Sequence, residues 1–255
     1  MTTIADFRAF FDRCRHWEKN YAEQSATQLL AGFLAFFPRV GPKMDELIEA
    51  VRSEQEKEAK QHAPRFNVFR VVEIERKEEI LHTRMLAHLL DPSAHHGQGL
   101  LFLKSFFDAA RSCEGFILPA GPIEEGRWFV QKEFPIAGVG ELDLLIENTR
   151  KKYIIVIENK IDDKDHPGQL SKYRTWMDKA RAGYDCRQLV YLTPDGSLPI
   201  FGMGCNCRRL SYKREIRAFL NAALQQVRAA PTKEIVRQYL AVVNDLTEYH
   251  DEQRG

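Results

Sequence analysis

The chain has 255 residues, enough for one sizeable core with helical additions. It is 44% hydrophobic and 29% charged, with a formal net charge of +1, which excludes a disordered polyelectrolyte and a chain basic overall. Any contact with nucleic acid must therefore come from a local patch. No apolar run approaches the length of a membrane span, and there is no internal repeat. The five cysteines, without a secretory signal, point to reduced thiols in the cytoplasm. Cys205 and Cys207 are the one close pair, and no second Cys/His pair stands at zinc-finger spacing.

Residues 1–62 form a predicted helical N-terminal extension: an amphipathic, aromatic-rich helix from Ile4 to Tyr21, an apolar one from Ala26 to Phe37, and a more polar one opened by Pro42 and running to about Gln61. Residues 63–255 form the main domain, and the two parts are expected to pack as one unit. In that domain Glu79, His82, Leu86 and Leu89–Leu90 follow helical spacing, and Asp91–Pro92 must end the helix. A glycine-containing polar loop from Ser93 to Gly99, holding His95 and His96, leads to a second helix starting near Leu100. Arg127 to Ile136 is the first predicted strand, with Glu133 near its end; Gly138 and Gly140 make the following turn.

The richest stretch is Gly140 to Lys160. It reads as two strands, with Asp143 inside the apolar run Leu142–Ile146 and the β-branched run Tyr153–Ile157 ending in Glu158-Asn159-Lys160. Strands this apolar are expected to be covered on both faces. Period-two alternation sends Glu158 and Lys160 to one side and Asn159 to the other. A hairpin brings Asp143 alongside Glu158, so two carboxylates and one ammonium gather at the edge of an apolar sheet. Unpaired charges there are costly, and two readings follow: a structural ion pair, or a site for a divalent cation such as Mg²⁺.

After a polar turn, Asp165 is the expected N-cap, with Pro167 in the first helical turn. Gln169 and Tyr173, four apart, share one face of that helix. Gln188 to Leu192 is a fourth strand, which the intervening helix allows to pair in parallel. A short strand over Cys207–Leu210 and helices from Lys213 to Val227 and from Pro231 to about His250 complete the chain.

The ordered set Asp143…Glu158-Asn159-Lys160, followed nine residues later by Gln169-x-x-x-Tyr173, resembles the PD-(D/E)xK nuclease superfamily. Leu142 stands where many members have proline. Glu79-x-x-His82-Thr83, the LLDP run, His95/His96-Gly97 and, more weakly, Leu210-Ser211-Tyr212 resemble one bacterial subfamily. The resemblance implies an α/β fold: a restriction-endonuclease-like αβββαβ core, with a mixed central sheet flanked by helices and with N- and C-terminal helical additions.

It also implies a metal-dependent nuclease, acting above all on DNA. Asp143 and Glu158 would hold Mg²⁺ or Mn²⁺, with Glu79 and the backbone carbonyl of Asn159 as further ligands. Lys160 would orient water and offset charge on the phosphate. Near the cation its pKa is expected to be depressed. Gln169 and Tyr173 would position phosphate, His82 would join the Glu79 network, and Lys164, Lys172 and Arg174 are candidate phosphate contacts. Glu78, about 100° round an α-helix from Glu79, ranks below it. The implied partners are nucleic acid, no membrane, and a homodimer or a larger defence or repair complex. The alternative is a catalytically silent nucleic-acid-binding or partner-binding module on the same fold.

Overall fold

The computed structural model describes residues 43–44, 46–61, 63, 66–162, 166–201, 204 and 206–252, without the side chains of 250–252. The chain divides into two compact units, Met1–Phe66 and Asn67–Gly255. In the first, residues 46–61 are helical, as the polar run after Pro42 predicts. The helices expected at Ile4–Tyr21 and Ala26–Phe37 lie outside the described residues.

The second unit opens with a short helix α1 (Val68–Val71), then a π-helical turn, Glu78–Thr83, that continues as α2 (Arg84–Leu90). Helix α3 (Leu101–Ala110) precedes strands β1 (Trp128–Ile136), β2 (Gly140–Asn148) and β3 (Tyr153–Asn159). Helix α4 (Gln169–Ala180) crosses to β4 (Cys186–Thr193), which is followed by β5 (Arg208–Ser211). A second π turn, Tyr212–Ile216, leads into α5 (Arg217–Leu224), and α6 (Ala230–Glu252) closes the chain.

The sheet order is β1-β2-β3-β4-β5. The first three strands form an antiparallel meander, with Leu144 opposite Ile157. Strands β3 and β4 pair in parallel, as do β4 and β5. This is the mixed α/β sheet that the sequence predicts. Strand β3 is buried along its whole length because both faces of the sheet are covered. Ile155 and Ile157 join the larger core with Phe102, Phe106, Phe219 and Val243, while Ile154 and Val156 meet Leu170, Tyr173 and Met177 of α4 on the opposite face.

The helix after Lys160 starts later than its expected cap. The residue preceding Gln169 is Gly168, at φ +76°, a conformation that favours glycine; Asp165 lies outside the described residues. On the larger core, the Phe106 ring packs edge-on against Phe116 and Phe219 at 6.4 and 6.1 Å. Phe106→Ala is expected to lower unfolding free energy by about 3–5 kcal/mol, measured by urea denaturation.

Candidate active site

The site forms where the pairing of β2 with β3 ends, beyond Leu144 and Ile157, and the π turn lies against that end. Asp143 lies level with Glu158, one step beyond the Leu144–Ile157 pair. Asp143 Oδ2 accepts a 2.7 Å hydrogen bond from the Asn159 backbone N–H. Alternation along β3 divides the next three side chains. Lys160 Nζ stands 2.9 Å from Glu158 Oε1. Asn159 points to the other face, donating from Nδ2 to Thr83 Oγ1 at 3.1 Å and accepting from the Tyr212 hydroxyl at 2.9 Å. Backbone bonding continues past the strand: Lys160 N–H donates to the Leu192 carbonyl at 2.8 Å.

A third carboxylate comes from the π turn. Glu78 Oε1 accepts from Lys160 Nζ at 3.1 Å, and Glu78 Oε2 accepts from the Ile161 N–H at 2.7 Å. Glu79, the residue expected there, is exposed to solvent. The physical reason is the local winding. His82 N–H reaches back five residues to the Lys77 carbonyl, and a π turn rotates successive side chains by less than the 100° of an α-helix. A 3.6-residue period therefore assigns the wrong member of the Glu78–Glu79 pair to the sheet side.

His82 is fully buried behind this cluster, 3.2 Å from the Tyr239 hydroxyl and 2.9 Å from the Glu75 carbonyl. Burial lowers its pKa to about 4, against the pull of the Glu75 carbonyl. It is a neutral structural group, with its ring edge-on to Tyr212 at 5.2 Å. Thr83, Tyr212 and Tyr239 were not singled out as site residues in the sequence; the weak Ser211-Tyr212 signal was the available clue.

The remaining sequence candidates divide similarly. Gln169 Nε2 donates to the Tyr173 hydroxyl at 3.0 Å, and that hydroxyl donates to the Glu141 carbonyl at 2.7 Å, so the pair braces the strand end carrying Asp143. Burial, then the charges of Glu158 and Asp143, raises the Tyr173 pKa. His95 is exposed, whereas His96 fixes its loop: Nε2 lies 2.9 Å from the Asp91 carbonyl and Nδ1 accepts from the Gln98 N–H. Glu133 is outside the cluster and pairs with Lys132 and Arg84. Lys172 is exposed, Arg174 donates to backbone carbonyls of Arg187 and Asn206, and Lys164 lies outside the described residues. Cys113 and Cys186 are free thiols; Cys205 lies outside the described residues.

Among the described residues, positive charge at the site is short. Three carboxyl groups there, from Glu78, Asp143 and Glu158, face one ammonium, that of Lys160. Burial pushes the Asp143 pKa up to about 7, and the neighbouring Glu158 adds to the shift. Burial likewise raises Glu158 and Glu78. Burial alone would lower Lys160, but Glu158, Asp143 and Glu78 outweigh it and hold its pKa above normal. Glu158 is fully buried; its Oε1 lies 2.9 Å from the Lys160 ammonium, and its Oε2 has no hydrogen-bond partner among the described residues. Carboxylates clustered in this way suit a hard divalent cation, which needs only one or two of them and completes its shell with water and phosphate. Among the described residues no group of three or more His, Cys, Asp or Glu side chains is placed to hold a metal ion.

A mixed sheet of this order, with a carboxylate pair and lysine at the ends of its second and third strands, defines a restriction-endonuclease-like core. A family model described as the PD-(D/E)XK nuclease superfamily matches residues 66–244, well over half of the chain. The chain belongs to that superfamily. Neither the curated proteins nor the solved structures yield a match.

Two outcomes follow from the buried network. Because folded His82 resists a proton that the unfolded chain accepts at its ordinary pKa of 6.5, its stabilising contribution is complete above that pH. It is lost progressively as pH falls towards about 4, up to about 3 kcal/mol. Thermal melts from pH 7.5 to 4.5 should show a flatter pH dependence for His82→Gln than for wild type. Tyr212→Phe leaves Asn159 Oδ1 without its donor and should cost about 1–3 kcal/mol in denaturant unfolding.

Proposed function

We propose that the protein is a divalent-cation-dependent nuclease that hydrolyses phosphodiester bonds of DNA. The observation that carries this reading is the charge imbalance around Glu158: a fully buried carboxylate level with Asp143, its Oε1 paired with the Lys160 ammonium, with Glu78 as a third carboxyl on the same ammonium. A structural ion pair needs one carboxylate for its lysine; the further carboxyls leave negative charge for a cation to offset. Membership in a nuclease superfamily supports hydrolysis of nucleic acid, and DNA is the class implied by the resemblance of the motifs.

Asp143 and Glu158 would hold Mg²⁺ or Mn²⁺, with the Asn159 backbone carbonyl as a further ligand. When bound, the cation polarises the scissile phosphate and acidifies a water molecule. Lys160 contributes positive charge at the same point, where negative charge develops on the attacked phosphate. Glu78 holds both the Lys160 ammonium and the Ile161 N–H, so it fixes the lysine's direction. Asn159, anchored by Thr83 and Tyr212, keeps Glu158 and Lys160 facing the opposite side. Gln169 and Tyr173 hold the start of β2 through the Glu141 carbonyl. Among the described residues no helix is long and apolar enough to cross a membrane. A cytoplasmic setting, and action as a homodimer or within a defence or repair complex, belong to the same reading.

The test incubates the full chain with single- and double-stranded DNA, linear and circular, in Mg²⁺, Mn²⁺ or EDTA. Cleavage should require metal and fall by about 10²-fold or more in Lys160→Ala and Glu158→Gln. Glu78→Gln should lose at least about tenfold, and Glu79→Gln should match wild type. Equal cleavage by wild type and Lys160→Ala would refute the assignment. Metal-dependent DNA retention without cleavage would instead identify the silent binding module.

A further inference from the structure

A groove of about 560 Å³ runs between the β1–β2 turn and α4, beside the carboxylate site but separate from it. Ile136 and Val139 line its strand side, and a stripe of α4 at helical spacing, Gly168, Lys172, Trp176 and Lys179, lines the other. Trp176 is half-buried. Phe134, with ring centroids 5.8 Å apart, and the Arg181 guanidinium, 5.5 Å from its ring, hold it in place. Lys172 and Lys179 are exposed and form no ion pair among the described residues. No carboxylate lines the groove; the nearby acid of α4, Asp178, pairs with Arg187 at 3.4 Å.

An apolar aromatic wall flanked by two ammonium groups, with no acid to repel an anion, complements a strand whose bases are exposed and whose backbone is anionic. Duplex DNA hides its base faces and presents mainly phosphates to such a surface. Position supports the same occupant. The groove ends at Gly168, adjoining Gln169, which bonds Tyr173; the Tyr173 hydroxyl in turn bonds Glu141, two residues before Asp143. The Gly168 end of the groove is thus linked, through Gln169 and Tyr173, to the strand that carries Asp143.

We propose that this groove holds unpaired nucleotides of single-stranded DNA next to the phosphate to be cut, with Trp176 against a base and Lys172 and Lys179 against backbone phosphates. The proposal rests on the nuclease reading and narrows its substrate to DNA with an unpaired stretch.

The test uses the full chain, an oligothymidylate and a duplex of equal length. Binding is measured in EDTA by fluorescence anisotropy and tryptophan quenching, and cleavage in Mg²⁺ or Mn²⁺. Oligothymidylate should quench tryptophan emission in wild type and not in Trp176→Phe. Trp176→Ala should weaken single-strand binding by about tenfold or more and change duplex binding little. The surface pair Lys172→Ala/Lys179→Ala, which leaves the core untouched, should reduce the log–log salt slope for the single strand by about 1.4. If wild type cleaves DNA while these variants bind and cleave the single strand as wild type does, the groove assignment falls and the nuclease reading stands. Binding of duplex as tightly as of single strand also overturns the groove assignment. If wild type neither binds nor cleaves either DNA, both readings fail, and an acidic apolar peptide becomes the better occupant.

Discussion

The architecture depends on one constraint at the end of β3: a strand buried on both faces must send consecutive side chains in opposite directions. Glu158, Asn159 and Lys160 are polar residues placed where Ile154 to Ile157 have already committed both faces to apolar cores. Their burial is tolerable only because each face supplies a different kind of partner. On one side, the Asn159 amide is satisfied by Thr83 and Tyr212, both neutral. On the other, Glu158 and Lys160 face charges, from Asp143 and from Glu78. The neutral anchor gives the charged pair its direction, and each face is built by elements distant in sequence.

The charged side is not at an electrostatic optimum. Burial, with the neighbouring Glu158 adding to it, leaves Asp143 with a pKa near neutrality, and among the described residues Glu158 Oε2 has no donor. A fold selected only for stability would replace such a group with an apolar residue or give it a hydrogen bond. The surrounding structure tolerates it because β3 lies between two packed layers and the Asn159 N–H holds Asp143 in place. In the proposed reading, a cation would offset the residual repulsion among the carboxyls. The cluster that opposes folding locally would then favour binding.

Much of this was legible in the sequence. The β-branched run at Tyr153–Ile157, the glycines before Asp143 and the position of Gln169 four residues before Tyr173 predict the meander, the burial and the shared helix face of that pair from short-range rules; that the pair braces the strand of Asp143 is seen only in the structure. The choice between Glu78 and Glu79 was not legible, because it depends on a π turn that no 3.6-residue periodicity reveals. The histidines were ambiguous for a related reason. His82, His95 and His96 are equally capable of acid–base chemistry as residue types, and only their surroundings separate a buried structural ring, an exposed side chain and a loop fastener. Tyr212 and Tyr239 are core aromatics; their hydroxyls acquire a second role because packing aims them at Asn159 and His82.

Helix α4 joins these features mechanically. Its inner stripe, Leu170, Tyr173 and Met177, is buried against the sheet, and Tyr173 at its sheet-facing end bonds the strand that carries Asp143. Its outer stripe, from Gly168 to Lys179, forms a wall of the groove. The two stripes lie on one rigid cylinder, so a rotation or slide of the helix moves both at once. Pinning of the inner stripe fixes the distance between whatever occupies the groove and the carboxylates. The positive φ at Gly168 lets the chain turn sharply into the helix at that junction, so the first turn of α4 sits against the site without a side chain at position 168 to fill the groove mouth. In the proposed reading, selectivity for a substrate and its alignment for reaction would be two consequences of the same helix packing.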